Sequence, residues 1–162
     1  MANPNRDKGL KSERDVAAYC RANGMPGAER SVSTGWKTRG RQLADLGDIK
    51  GIPGVCIQVR NVVRQHPRGL AGKALADMMA ETATQGEAAG AALAILIEKR
   101  AGHADVGEWW VHVPANLLAA LLVGADPYSF PLCAITYPIR LEFRHIVGQL
   151  TRFSAMCSEV AA

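Results

Sequence analysis

The chain has no long apolar run. Its longest charge-free apolar stretches, Ala88–Ile97 and Leu117–Ala125, fall well short of the ~20 residues that cross a bilayer. The start, Met1–Asp15, is charged throughout and holds no apolar h-region, so no secretory signal is read there and a cytoplasmic protein is expected. The four cysteines, Cys20, Cys56, Cys133 and Cys157, contain no CxxC pair, and reduced core thiols are expected of them. His66, His103, His112 and His145 are equally dispersed, and none sits at zinc-ligand spacing. No GxGxxG, GxxxxGK[ST] or GxSxG occurs, which excludes the common dinucleotide, phosphate-loop and hydrolase-elbow signatures.

What is present is an ordinary globular composition with a charge asymmetry. The 162 residues are 48% hydrophobic and 21% charged, enough for one domain with a sizeable core. The net charge of +4 conceals two unlike halves. Residues 1–73 carry 14 Lys/Arg against 6 Asp/Glu, whereas residues 74–162 carry 5 against 9. A basic half of this kind points to a polyanionic partner.

Periodicity and punctuation divide the chain into alternating elements. Residues 1–7 read as a polar, frayed terminus. The stripe Val16, Ala17, Tyr19 and Cys20 predicts a helix over about Leu10–Ala22, with Ser12 as a possible cap and Asn23-Gly24 as its end. A short strand is predicted at Ala28–Ser33, then a mobile basic loop over Thr34–Gln42. Leu46–Ile52 and Val55–Val59 read as two strands around a turn at Pro53-Gly54. Helices are predicted at Leu70–Gln85, from Pro114 to about Val123, and at His145–Glu159. Strands are predicted at Ala91–Ile97, Glu108–Val113 and within Ala134–Phe143. This order argues for a single α/β domain, a mixed central sheet flanked by helices, with residues 132–162 as a C-terminal extension.

The informative segment is Gly47-Asp48-Ile49-Lys50 followed by Ile57-Gln58-Val59-Arg60-Asn61. Gln58 and Arg60, two residues apart on one strand, share a face. If the two strands pair through the Pro53-Gly54 turn, Asp48 falls beside them. Asp45 competes with Asp48 as the acid, but it sits in the preceding loop. Gln58 interrupts an apolar strand and, if buried, needs polar partners.

Together with Lys8-Gly9, Glu13-Arg14 and Arg30-Ser31-Val32-Ser33, and with Glu98-Lys99-Arg100 and Gly107–Val113 further on, this pattern resembles the PD-(D/E)xK nuclease superfamily. It is most similar to the Holliday-junction-resolvase-like branch, including short nuclease-like proteins of actinobacterial phages. The resemblance spans about residues 8–114. It implies a restriction-endonuclease-like sheet and hydrolysis of phosphodiester bonds in branched DNA, with Mg²⁺ (or Mn²⁺) as cofactor and a two-fold homodimer. It assigns Glu13, Asp48, Gln58 and Arg60 to the catalytic site, and Asp48, Gln58 and Glu13 to the metal. DNA contacts are expected from Lys8, Arg14, Ser31, Ser33, Lys37, Arg39, Arg41, Arg64 and Arg68. The apolar segment Leu132–Met156 is the expected dimer surface.

Two residues depart from the family pattern. Gln58 stands where an acid is usual, and it offers a metal a carbonyl oxygen without charge. Arg60 stands where lysine is usual. It remains cationic and can clamp a phosphate with two hydrogen bonds, but it does not deprotonate. A DNA-binding relative with weak or lost catalysis is therefore the alternative reading.

Overall fold

The structure, a computed structural model, describes residues 4–31, 46–63, 65–124 and 137–160, with the backbone alone for 4–7 and 160. The fold is α/β. Among the described residues, four helices flank a six-stranded mixed sheet. Helix α1 spans Pro4–Ala22, followed by strands β1 (Glu29–Arg30), β2 (Ile49–Lys50) and β3 (Val55–Arg60). Helix α2 (Gly72–Ala88) crosses over to β4 (Leu93–Glu98). Then come β5 (Trp110–Pro114), α3 (Ala115–Val123), β6 (Pro138–Glu142) and α4 (Val147–Val160). The strands lie in chain order across the sheet, and every neighbouring pair is antiparallel except β3 and β4. The α2 crossover explains the exception, since parallel neighbours need a long connection.

Strand alternation sorts the side chains into two layers. Val55, Ile57 and Val59 of β3, Ile95 and Ile97 of β4, and Val111 and Val113 of β5 enter the main core. There they meet Val16, Ala17 and Cys20 of α1 and Leu150, Phe153 and Cys157 of α4. The opposite face, under α2, holds a smaller cluster of Leu70, Met79 and Leu96. That face also carries a transverse row, Arg60, Glu98, Trp110 and Glu142, defined by the register of β3 to β6. Two glycines fix the turn between β2 and β3. Gly51 (φ +79°) lies with its Cα against the carbonyl of Gly27, and Gly54 (φ +71°) against Cys157. A Cβ at either would collide with its neighbour. The Gly54 carbonyl accepts from the N–H groups of Ala92 and Leu93, which ties the turn to the start of β4.

The structure alters several expectations. Helix α1 begins at Pro4, so the helix runs through Gly9 and the expected frayed start is helical from residue 4. A lone glycine costs a helix only about 1 kcal/mol, and the packed stripe downstream outweighs it. Ser12 is no cap. It lies inside α1, its hydroxyl donating to the Lys8 carbonyl and accepting from Asn61 Nδ2. The C-terminal segment is part of the fold, not an appendage. Strand β6 completes the sheet, and Phe143, Ile146, Leu150 and Phe153 are buried in the main core. Residues 132–136 of the expected dimer surface lie outside the described residues. No described helix is long and apolar enough to cross a membrane.

Candidate functional site

Asp48 is positioned by main-chain pairing just ahead of β2. Its N–H donates to the Ile57 carbonyl at 2.9 Å, and its own carbonyl accepts from the Ser31 N–H at 2.7 Å. One rung further on, its carboxylate Oδ2 accepts from the Val59 N–H at 2.7 Å. The side chain thus takes the ladder position that a strand carbonyl would occupy. Arg60 Nη1 stands 3.6 Å from the same oxygen. The strand pair therefore brings Asp48 and Arg60 together, as the turn at Pro53-Gly54 implies.

Gln58 is buried at 1% exposure, and its amide is used structurally. Its Oε1 accepts from the Thr82 hydroxyl, and its Nε2 donates to Glu81 Oε1 at 3.1 Å. Only this orientation of the amide satisfies both neighbours, because a carboxylate cannot donate. The carbonyl oxygen expected to face a metal is turned to α2 instead.

Glu81 on α2 escaped the sequence reading. Its Oε1 accepts from Gln58 Nε2 at 3.1 Å, Arg60 Nη2 at 2.8 Å and Gln85 Nε2 at 3.4 Å. The Arg60 guanidinium consequently bridges two carboxylates, Asp48 and Glu81. Its Nε lies 3.4 Å from Met78 Sδ, which steadies the stem. The available signal was the polar pair Thr82 and Gln85, which lies on the buried stripe of α2 beside Met79. Buried polar positions on an Ala- and Met-rich helix require polar partners across the interface.

Glu13 belongs to a different neighbourhood. It faces Arg30 of β1, with Oε2 3.4 Å from Nη1. Arg30 is paired in register with Ile49, a residue of the main core, so this ion pair lies on the α1 side of the sheet. Gln58 and Arg60 lie on the α2 side. Ser31 contributes its main chain to Asp48, whereas Lys8, Arg14 and Arg68 are exposed. Ser33, Lys37, Arg39, Arg41, Asp45 and Arg64 lie outside the described residues.

Among the described residues no three His, Cys, Asp or Glu side chains converge. The carboxylates of Asp48 and Glu81, at 23% and 46% exposure, both face the Arg60 guanidinium. Two carboxylates at a water-accessible edge suit a hard divalent ion that keeps several waters. Arg60 now holds the position between them. Trp109 is fully buried in the core, its indole N–H donating to the His103 carbonyl. Trp110 lies against two guanidiniums, Arg100 at 4.2 Å and Arg140 at 5.1 Å from the ring centre. No family model, curated protein or solved structure matches the chain.

Proposed function

We propose that the chain is a metal-dependent DNA endonuclease of the PD-(D/E)xK type, acting on branched DNA as a cytoplasmic homodimer. The observation that carries this reading is the meeting of Asp48, Arg60 and Glu81 at the ends of β2 and β3. The chain order supports it too: a helix, three antiparallel strands, a crossover helix and a parallel strand. That order sets an acid beside the strand bearing the cation, as the resemblance implies. The branched substrate, the homodimer and the compartment rest on the resemblance and on the charge pattern.

Asp48 and Glu81 are the residues that would hold the ion. In this reading Glu81 supplies from α2 the carboxylate that Gln58 lacks. A Mg²⁺ or Mn²⁺ held there would supply a hydroxide near neutral pH and stabilise charge on the phosphate. Arg60 turns from the two carboxylates to the scissile phosphate, where its planar fork clamps two oxygens. It stays protonated throughout, so it orients the phosphate without carrying a proton. Gln58 and Thr82 hold Glu81 and the strand in register.

The second reading is DNA binding without cleavage. The Arg60 bridge favours it, because a fixed guanidinium already neutralises both acids. Alanine at Asp48 and at Glu81 separates the two. The first reading predicts that each variant loses Mg²⁺-dependent cleavage by about 100-fold or more while still binding DNA in EDTA. Cleavage by either variant at the parental rate overturns the assignment. A parent that binds DNA but leaves it uncut in both Mg²⁺ and Mn²⁺ supports the second reading.

A further inference from the structure

Strands β3 and β4 are parallel, so their C-terminal ends open at the same edge of the sheet. The Lys99 N–H donates to the Arg60 carbonyl at 2.9 Å, which joins that edge to the site above. Beyond it lies a cleft of two adjoining lobes, about 610 Å³ and 360 Å³, with Lys99, Arg100 and His103 common to both walls. Lys8 and Lys11 of α1 line the larger lobe, and His66 and Arg68 the smaller. No aspartate or glutamate among the described residues lines either lobe.

The charges in this cleft are arranged, not scattered. Lys99 Nζ lies 5.0 Å over the Trp109 ring, and the described residues place no acid within ion-pair distance of Lys8 or Lys99. Arg100 is pinned between the Trp110 face and Glu142, its Nη1 2.9 Å from the carboxylate. Glu142 is also shared by Arg144 and His145, so one acid serves three basic side chains. Lys11 has an exposed i,i+4 partner in Asp15, a pairing that solvent weakens. A cleft at the carboxyl ends of parallel strands is a common ligand position in open α/β sheets.

We infer that this cleft is a phosphate-backbone channel, carrying one arm of a nucleic acid away from the Asp48–Arg60–Glu81 site. The inference rests on the nucleic-acid reading above and adds Lys11, Lys99 and Arg100 to its surface. A phosphodiester chain fits because it presents one charge per nucleotide along a line, and the two lobes form a continuous basic path. The contacts reach phosphates, so they contribute affinity without reading sequence.

The test is a salt titration of binding in EDTA, followed by fluorescence anisotropy, with labelled duplex, single-stranded and four-way-junction DNA. The variant is Lys8→Gln/Lys11→Gln/Lys99→Gln. The control is Lys50→Gln/Arg152→Gln, which removes two cations away from the cleft. Each phosphate contact contributes roughly −0.9 to the slope of log K against log salt on duplex and about −0.7 on single strands. The cleft variant should lose about two to three units of slope on duplex and about two on single strands, and the control none. The DNA on which the loss is larger once divided by its own slope per contact identifies the arm that the channel holds. A parental slope in the cleft variant, with a melting profile like the parent's, overturns the channel and leaves the nuclease reading standing. A parent that binds none of these DNAs at about 50 mM salt, but is retained by polyglutamate, overturns both.

Discussion

At the scale of single residues, the site turns on Gln58. In an apolar strand it reads as a surviving ligand position, and its burial was legible from its neighbours. Its partner was not, because nothing near position 58 in sequence points to Glu81. The pairing changes what a restoring substitution would do. Gln58→Glu removes the Nε2 donor and sets a buried carboxylate against Glu81 Oε1, now 3.1 Å from that nitrogen. Without metal this variant should be less stable by about 1–3 kcal/mol, the cost of a buried polar group left without its partner. Urea unfolding in EDTA measures that loss, and Mg²⁺ should recover part of it. A midpoint equal to the parent's would mean that Glu81 does not depend on the Gln58 amide. Arg60 shows the same dependence on distant residues: its place as a cation at the strand end was readable, but its bridge from Asp48 to Glu81 needed α2 in position.

At the scale of elements, the sequence was most informative where the periodicity was strongest. Val55–Val59 and Ala91–Ile97 are apolar because both faces of β3 and β4 are covered, and the observed strands, Val55–Arg60 and Leu93–Glu98, agree to within two residues at each end. Among the described residues β1 and β2 are two residues each, shorter than the runs around them suggest, since the pairing ahead of β2 passes to the main chain of Asp48 and Gly51 (φ +79°) turns the chain after it. The polar row beneath α2 was less legible. Glu98 looked like the charged exit of a strand. It is buried at 1%, its Oε1 accepting from the Leu70 N–H at 2.8 Å and its Oε2 2.9 Å from His112 Nε2. That carboxylate fastens the approach to α2 onto β4 and β5. Glu98→Leu leaves the buried Leu70 N–H and the His112 ring without their partner and should cost about 1–3 kcal/mol, the penalty for a buried polar group left unpaired. Thermal unfolding provides the measurement. A loss below about 1 kcal/mol would show that the pair is not needed to hold α2.

At the scale of the whole molecule, one core joins α1, the sheet and α4, so the two ends of the chain stabilise the same body. Cys20 of α1 lies fully buried in that core. Burial pushes its thiol up to about 12, with the neighbouring Arg21 opposing weakly. The thiolate is the reactive form, so iodoacetamide at neutral pH should leave Cys20 unlabelled in the native protein and label it only on unfolding. Peptide mapping by mass spectrometry reads this directly, and rapid native labelling of Cys20 would show that α1 opens independently of the core. Among the described residues, Lys8, Lys11, Arg60 and Arg68 of the basic first half join Lys99 and Arg100 of the second half at two places, the edge bearing Arg60 and the cleft beyond Lys99. In the proposed function, the acids at this edge hold the metal that cuts what the basic surface binds. This is tested by incubating the purified protein with end-labelled junction, linear duplex and single-stranded DNA, in Mg²⁺, in Mn²⁺ and in EDTA, and resolving the products on a denaturing gel. Discrete cuts are expected in the junction, dependent on Mg²⁺ and absent in EDTA. Intact junction in Mg²⁺ and in Mn²⁺, at protein concentrations that bind it fully, would contradict it.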